Sequence, residues 1–340
     1  MAGAESSTRA ATPPLPWKTK LLLAAHTFAV DLSCRSDGTV NRGLMNFLDL
    51  KAPPSAKPIH GVTSSDITVD PSRNLWFRLF TSSVPAHSDT KLPVVVFFHG
   101  GGFAFFSANT KPYDDFCRRL ASDLPAVVIS VNYRLAPEHR FPSQYDDGFD
   151  TLKFLDADEE VHLPQNADLS RCFIAGDSAG ANIAHHVTLR VAAASHREFV
   201  KLKIVGLVAI QAFFGGEERT ESELRLTNVP SVKLERSDWM WRAFLPPGSD
   251  RNHEAANVFS GDVSGVENYP ATMVVVGGFD PLQDWQRRFY EWVKKGGKEA
   301  YLVEYPNAIH AFYVFPELPE GSLLISELRE FVRKQSLNSK

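Results

Sequence analysis

Three residues have the types and settings that nucleophilic catalysis requires. Ser178 lies within Gly-Asp-Ser-Ala-Gly, directly after the apolar run 172–175. A serine hydroxyl needs a base to take its proton, and His310, on a loop after the last apolar run, is the candidate base. Asp280 follows another apolar run and would orient the imidazole and stabilise its charged form. Together they predict acyl transfer through a serine nucleophile.

A second acid, Asp284, is the alternative partner of His310. It begins a predicted helix over residues 284–295, where an acidic side chain is explained by its favourable interaction with the helix dipole. Asp280, in the loop before that helix, is therefore the preferred acid. Without Ser178 and Asp280, His310 would be interpreted as a loop histidine that is hydrogen-bonded to the backbone.

The segment His99-Gly100-Gly101-Gly102 predicts a site for a developing oxyanion. It follows the apolar run 94–98, and a flexible linker would not begin directly from a buried strand. Consecutive glycines leave backbone N–H groups uncovered by side chains, and these can converge with the N–H of Ala179 on one oxygen. His99 itself is predicted to brace the loop rather than to react.

The apolar runs predict the sheet that must position these groups. They are nearly continuous, as strands buried on both faces require, and helical stretches alternate with them. An antiparallel hairpin precedes them, and with it the count is eight strands. The predicted fold is a mostly parallel, doubly wound α/β sheet with helices on both faces. The parallel runs are residues 94–98, 127–131, 172–175, 205–210, 273–276 and 301–303.

The pattern along the chain predicts three regions. Residues 1–16, rich in Ala, Ser, Thr and Pro, are predicted to be disordered, and residues 17–60 to form an arm that lies on the body as a lid. The main α/β domain is predicted over residues 61–336, with a cap-like insertion at about 213–270. A signal peptide is the alternative for the arm's start, but its apolar run is short and ends at His26. We expect an amphipathic helix whose buried stripe holds Trp17, Leu21, Ala24, Ala25, Phe28 and Leu32.

Composition limits the classes of function. The chain of 340 residues carries 36 Lys and Arg against 40 Asp and Glu, a formal net charge of −4, and no basic run that would favour nucleic acid. No apolar run is long enough for a membrane span, and no metal-ligand or phosphate-loop motif predicts a cofactor. His185 and His186 are interpreted as structural. Three separated cysteines favour a reducing, cytoplasmic location, with the nucleus as a further possibility.

Taken together, the motifs resemble those of a known family. They are His-Gly-Gly-Gly-Phe at 99–103, Tyr-Arg-Leu-Ala-Pro-Glu at 133–138 and Gly-Asp-Ser-Ala-Gly at 176–180, completed by Asp280 and His310. With these, residues 65–334 resemble the hormone-sensitive-lipase-like branch of the α/β-hydrolases. The resemblance implies an α/β-hydrolase fold, a Ser178-Asp280-His310 triad and carboxylic ester hydrolysis.

More narrowly, the chain looks like a plant carboxylesterase of the clade nearest the gibberellin receptors. Residues 35–42 of the arm, 284–286 and 312–313 are similar to receptor segments. The receptors, however, carry an aliphatic residue at the position of His310, serine at Gly102 and a second serine at Ala179. The family resemblance implies oxyanion donors at Gly101, Gly102 and Ala179. Ser178 argues against the dehydratase activity of relatives with a threonine nucleophile.

These observations predict a serine carboxylesterase that acts on small-molecule esters, with short acyl chains preferred. Two alternatives stay open: a hormone-binding or signalling protein with vestigial catalysis, and a lyase or acyltransferase on the same triad. The identity of a protein partner is not indicated. The arm and the insertion are expected to cover a closed pocket. The residues predicted to line it and contact substrate are Phe103, Phe213, Phe312 and Tyr313, and the alternative for each is a place in the core, where aromatic residues in such positions lie as often.

Overall fold

The computed structural model describes residues 13, 15–83, 90–157, 163–194, 198–230 and 232–338. The segment predicted to be disordered, residues 1–16, lies outside the described residues except for Pro13, Leu15 and Pro16.

One sheet of eight strands forms the centre of the fold, in the order β1-β2-β4-β3-β5-β6-β7-β8. The first two strands form an antiparallel hairpin, β2 pairs antiparallel with β4, and all other neighbours are parallel. The predicted α/β fold is thus confirmed. The strands are β1 (Val62–Asp70), β2 (Leu75–Ser82), β3 (Leu92–Phe98), β4 (Val127–Asn132), β5 (Ala167–Asp177), β6 (Ile204–Ile210), β7 (Ala271–Phe279) and β8 (Ala300–Ile309).

Helices cover both faces of the sheet. They are α1 (Trp17–Ser33), α2 (Arg42–Leu48), α3 (Lys111–Asp123), α4 (Ser143–Ala157), α5 (Ala179–Ala193), α6 (Glu221–Arg225), α7 (Leu234–Phe244), α8 (Gln283–Lys295) and α9 (Glu320–Asn338). Strand β3 explains the continuous apolar runs: Val94, Val96 and Phe98 pack in the core beneath α4, α5 and α8, whereas Val95 and Phe97 pack in the core beneath α3 and α9. Because alternate side chains enter opposite cores, both must be apolar.

Helix α1 exists, but its predicted buried stripe is wrong. Trp17 is 70% exposed and Phe28 67%, and Leu21 and Leu32 are also exposed. The buried positions are instead Thr19, Leu23, Val30 and Ser33. The rotation is set by polar contacts, because Thr19 donates to Glu317 at 2.5 Å and Asp31 accepts from Arg236 at 2.9 Å. Burial of the largest apolar residues does not decide which face of this helix meets the body.

Two arginines attach the arm to the body. Arg42 at the start of α2 donates to the carbonyls of Ala104 and Ala136 and pairs with Glu138. Arg78, fully buried on β2, donates to the carbonyl of Ala52 at 2.7 Å. These charge-assisted bonds hold the arm over the carboxyl ends of the strands. Among the described residues, no helix combines the length and the apolar character needed to cross a bilayer.

Candidate active site

The predicted catalytic residues lie together at the carboxyl end of the sheet. Ser178 follows β5, Asp280 follows β7, His310 follows β8, and the glycine loop 99–102 follows β3. In an open α/β sheet, the loops at these strand ends face the same crevice. Ser178 and His310 line one cavity there, together with Gly101 and Gly102.

Ser178 sits in a strained turn between β5 and α5. Its backbone has φ 52° and ψ −120°, a conformation that few residues other than glycine adopt. The turn requires glycine on both sides, because a Cβ on Gly176 would meet the backbone of Gly180, and a Cβ on Gly180 would meet the carbonyl of Phe98. The strand–turn–helix geometry leaves the Ser178 side chain partly exposed at the N-terminus of α5.

His310 and Asp280 form a short, buried hydrogen bond. The Nδ1 atom of His310 lies 2.7 Å from Oδ2 of Asp280, and the two side chains are 9% and 0% exposed. The Asp280 carboxylate also accepts from the backbone of Leu282 at 3.0 Å and from the Gln286 amide at 2.8 Å. With Nδ1 bonded to Asp280, Nε2 is the ring nitrogen that can take a proton from a hydroxyl group.

The environment of His310 raises the pKa of its imidazole. Burial alone would lower the pKa of the imidazole, but the charge and hydrogen bond of Asp280 and the charge of Asp177 outweigh burial, and the pKa is raised above the ordinary 6.5. The imidazolium that forms during proton abstraction is therefore stabilised by the site. A base of this kind takes a hydroxyl proton more readily than an isolated histidine does.

The glycine loop offers two amides to the cavity. The N–H of Gly100 donates to the hydroxyl of Tyr113 at 3.0 Å, whereas the N–H groups of Gly101 and Gly102 have no acceptor among the described residues. Both glycines have positive φ, 106° and 59°. Ala179 is the first residue of α5, and the first amides of a helix have no acceptor within it. These three N–H groups can bind an oxyanion.

The cavity measures about 330 Å³, and its wall is mostly apolar. Helix α1 contributes Leu22, Leu23, His26 and Val30. The segment between β6 and β7 contributes Phe213, Val232, Lys233, Arg236, Ser237 and Met240. The arm and this segment therefore enclose the space above Ser178, as a site that binds a small apolar molecule requires.

A family of alpha/beta hydrolase fold matches residues 95–314 of the chain. The protein belongs to this family. The matched residues contain the glycine loop, Ser178, Asp280 and His310, so the family assignment covers the site as well as most of the sheet. This α/β-hydrolase also has relatives of two kinds in plants.

Gibberellin receptor GID1C of Arabidopsis thaliana is 39% identical over 94% of this chain and 95% of the receptor. Carboxylesterase 20 of the same plant is 39% identical over 81% of this chain and 86% of that protein. 3-O-acetylpapaveroxine carboxylesterase CXE1 of Papaver somniferum is 37% identical over 82% of this chain and 91% of that protein. A hyperthermophilic esterase from the archaeon Pyrobaculum calidifontis superposes with a TM-score of 0.74 at 27% identity, over 96% of this chain and all of that one.

Of the four aromatic residues that were predicted to contact substrate, one lines the cavity and three lie in the core. Phe213 lines the cavity of this hydrolase. Phe103 is fully buried and stacks on Phe244 with ring centroids 3.7 Å apart, so it packs behind the wall. Phe312 and Tyr313 are also buried in the core, where Tyr313 packs against Phe116. The rings of these three residues fill the core behind the loops and do not line the cavity, and their contact with substrate stays a prediction.

Asp284, His99 and His185 make the hydrogen bonds and ring contacts expected of residues with a structural role. Asp284, in the first turn of α8, accepts from the backbone of Ser222 at 2.8 Å, whereas the carboxylate bonded to His310 is that of Asp280. His99 stacks on Tyr133 and contacts the Gly100 carbonyl at 2.8 Å. His185 bonds to the hydroxyl of Tyr269 at 2.8 Å. No group of potential metal ligands occurs among the residues that the structure describes.

Sequence reasoning passed over Asp177, the residue before the predicted nucleophile. Its buried carboxylate lines the cavity and accepts from Tyr113 at 3.1 Å. Burial raises the pKa of Asp177 to about 6, although the charge of His310 and the bond from Tyr113 act in the opposite direction. The hydroxyl of Tyr113 also accepts a hydrogen bond from the N–H of Gly100. Tyr113 and Asp177 therefore connect the glycine loop to the turn at Ser178. The signal in the sequence that could have identified Asp177 was the presence of an acidic residue inside the Gly-Asp-Ser-Ala-Gly motif, directly after an apolar run.

Proposed function

We propose that this protein is a serine carboxylesterase that hydrolyses carboxylic esters of small molecules, with a preference for short acyl groups. The observation that carries the proposal is the 2.7 Å contact between His310 and Asp280, which is buried at the cavity that Ser178 also lines. This arrangement supplies the nucleophile, the base and the orienting acid of an acyl-transfer site.

The acylation step begins with the ester carbonyl next to Ser178. The Oγ atom of Ser178 attacks the carbonyl carbon, while Nε2 of His310 takes the hydroxyl proton and Asp280 stabilises the imidazolium. The negative charge moves to the former carbonyl oxygen, which the N–H groups of Gly101, Gly102 and Ala179 bind. When this intermediate collapses, the alcohol departs with the proton from His310 and leaves an acyl group on Ser178.

Water then completes the cycle. His310 takes a proton from a water molecule, the hydroxide oxygen bonds to the acyl carbon, and the same amides hold the second oxyanion. The bond to Oγ breaks, His310 returns its proton to Ser178, and a carboxylic acid leaves. The net reaction consumes one ester and one water and needs no cofactor.

The walls of the cavity support the preference for short acyl groups. The volume of about 330 Å³ lies at the lower end of ligand pockets. The thioether of Met240 lies against Gly102, where a Cβ on that glycine would collide with it. This contact narrows the space beside the glycine loop.

Hydrolysis of 4-nitrophenyl acetate, butyrate and octanoate by the wild type and by Ser178→Ala tests the proposal. We expect turnover that is highest for the shorter esters, with labelling by a fluorophosphonate probe, and loss of both in the variant. Turnover by Ser178→Ala at the wild-type rate, or a folded wild type that neither turns over nor labels, would refute the esterase.

A receptor-like function is the second candidate. It is favoured by the enclosure of the cavity by α1 and by the 39% identity to a gibberellin receptor over 94% of this chain. Calorimetry with gibberellins distinguishes the two. Saturable binding without turnover would support the receptor, whereas turnover of esters without such binding would remove it.

A further inference from the structure

Gln211 occupies the strand end between the nucleophile and the acid. It follows β6, which lies between β5, the strand before Ser178, and β7, the strand before Asp280. Its side chain is 1% exposed, so its amide must find partners within the protein. The proposed acylation and deacylation steps do not use this residue.

The amide of Gln211 holds the backbone on both sides of His310. Its Nε2 atom donates to the carbonyl of Ile309 at 3.1 Å, and its Oε1 atom accepts from the N–H of Ala311 at 2.8 Å. Ala311 has φ 60° and ψ 30°, a left-handed conformation that needs support in a residue with a Cβ. One side chain thus fixes the turn that presents the imidazole.

The same amide also contacts the acid. Nε2 of Gln211 lies 3.2 Å from Oδ2 of Asp280, the oxygen that Nδ1 of His310 approaches at 2.7 Å. Gln211 therefore joins the loop of the base to the carboxylate of the acid. Gln286 donates to the same oxygen at 2.8 Å, but its described bonds do not reach the loop of His310.

The surrounding backbone is arranged to admit this amide. Gly277 on β7 leaves room for it, because a Cβ there would meet Nε2 of Gln211. Gln211 has φ 46°, a strained value for a residue with a side chain, and its N–H donates to the carbonyl of Val275 at 2.9 Å. Strain of this kind persists where surrounding contacts require it, and it concentrates at functional sites.

We propose that Gln211 is a positioning residue of this site: its amide fixes the loop of His310 to the carboxylate of Asp280 and keeps the imidazole aligned for proton transfer. The proposal rests on the proposed esterase function for its kinetic consequence. Its structural consequence, the alignment of His310 with Asp280, can be measured without turnover.

The test makes one substitution at three buried glutamines. Gln211→Met removes the three side-chain contacts with little change of volume, and Gln286→Met removes a donor to Asp280 alone. Gln144→Met is the control, since Gln144 is fully buried on α4 and donates to the carbonyl of His139 at 2.6 Å. Gly277→Ala is a second variant that keeps Gln211 but places a methyl group against its amide and against the backbone carbonyl of Ala308.

We expect Gln211→Met to lower kcat by roughly 10–100-fold with KM changed by less than about twofold, since a small misplacement of a catalytic group has costs of this order. The acid limb of kcat/KM should move to lower pH, because Asp280 no longer raises the pKa of His310 fully. Gly277→Ala should act in the same direction, Gln286→Met should cost less, and Gln144→Met should leave kcat unchanged.

The imidazole pKa of His310, followed by NMR in the same variants, separates this proposal from the esterase. If the wild type hydrolyses no ester, the esterase is refuted, yet a lower His310 pKa in Gln211→Met or Gly277→Ala still supports the positioning role. Unchanged kcat and His310 pKa in whichever of these two variants folds would overturn it. So would a Gln286→Met variant that reproduces the whole effect, since the loss would then come from the carboxylate donor alone.

Discussion

Asp31 on α1 accepts two hydrogen bonds from Arg236 on α7, from Nε at 2.9 Å and from Nη2 at 2.5 Å. Arg236 lines the cavity, and so does Val30, the residue before Asp31. Burial alone would raise the pKa of Asp31, but the bonds from Arg236 and Lys233 outweigh burial and lower it. The carboxylate is therefore charged at neutral pH, and the pair joins the arm to the segment between β6 and β7.

Asp31→Asn should loosen the arm. Arg236 is 7% exposed, and the substitution removes the negative charge that its guanidinium meets at 2.5 Å, which weakens the contact between α1 and α7. We expect faster amide exchange in α1 and an increase in KM of about three- to tenfold, with a smaller change in kcat, since closure of a lid contributes to substrate binding. Glu330→Gln, which breaks the exposed pair with Arg333, is the control. Unchanged exchange and KM in Asp31→Asn would show that the pair does not hold the arm.

The raised pKa of His310 predicts the pH dependence of the wild type. The neutral imidazole is the base, so kcat/KM should fall as the pH drops through the pKa of His310, at an apparent value above 6.5. The linkage to stability has the opposite sign. A raised pKa in the folded state stabilises the fold below the unfolded pKa, and this contribution is lost as the pH rises through the folded pKa. A pH–rate profile with its acid limb well below 6.5 would contradict the assignment.

Asp280→Asn should show whether Asp280 or its neighbour Asp284 is the acid that orients His310. Removing the charge leaves burial to lower the pKa of His310, so the acid limb should move down, and kcat should fall by roughly 10³–10⁴-fold because the tautomer is no longer fixed. Asp284→Asn is the matched control, since Asp284 bonds to the backbone of Ser222. We expect it to change kcat by less than about threefold. A larger loss in Asp284→Asn than in Asp280→Asn would reverse the two roles.

The sequence was sufficient for the sheet and for the order of the reacting groups, for a physical reason. Runs such as 94–98 are apolar at every position because their side chains enter two cores, and this pattern is local. Ser178, Asp280 and His310 each lie in the segment that comes after such a run. Parallel strands place their carboxyl ends at one edge, so their proximity follows from the topology.

The parts that were not predictable depend on contacts between distant segments. The rotation of α1 is set by Thr19 with Glu317 and by Asp31 with Arg236, pairs that no local pattern reveals. Gln211 looks like any polar residue at a strand end until the loop of His310 is placed beside it. Phe103 belongs to the glycine motif, yet its ring turns into the core to stack on Phe244. Helix α4 was not singled out from the sequence.

Met240 should limit the length of the acyl group. Its thioether lies against Gly102 and lines the cavity, so Met240→Ala opens space beside the glycine loop. We expect the ratio of kcat/KM for octanoate to that for acetate to rise by about tenfold, since a few methylenes in an apolar pocket suffice for such discrimination. Met273→Ala is the control, because Met273 is buried in β7, and its loss should cost ~2–5 kcal/mol of stability without changing this ratio. Equal ratios in the wild type and in Met240→Ala would place the acyl group elsewhere.

Gly102→Ala tests whether the glycine loop binds the oxyanion. Gly102 has φ 59°, and a Cβ there would meet the thioether of Met240, so its amide should be displaced from the cavity. Losing one such donor costs roughly 10²–10³-fold in kcat. Gly248→Ala is the matched control, because Gly248 has φ 85° and open space around it, and the change should cost only about 1 kcal/mol of stability.

The double variant Gly102→Ala with Met240→Ala identifies the cause of the loss. If the collision with Met240 displaces the loop, removing the thioether should restore at least tenfold of the lost kcat, an effect of the size that one oxyanion donor supplies. If the backbone conformation at φ 59° is the cause, the double variant should be as slow as Gly102→Ala alone. Wild-type kcat in Gly102→Ala itself, with the fold intact by circular dichroism, would remove this loop from the mechanism.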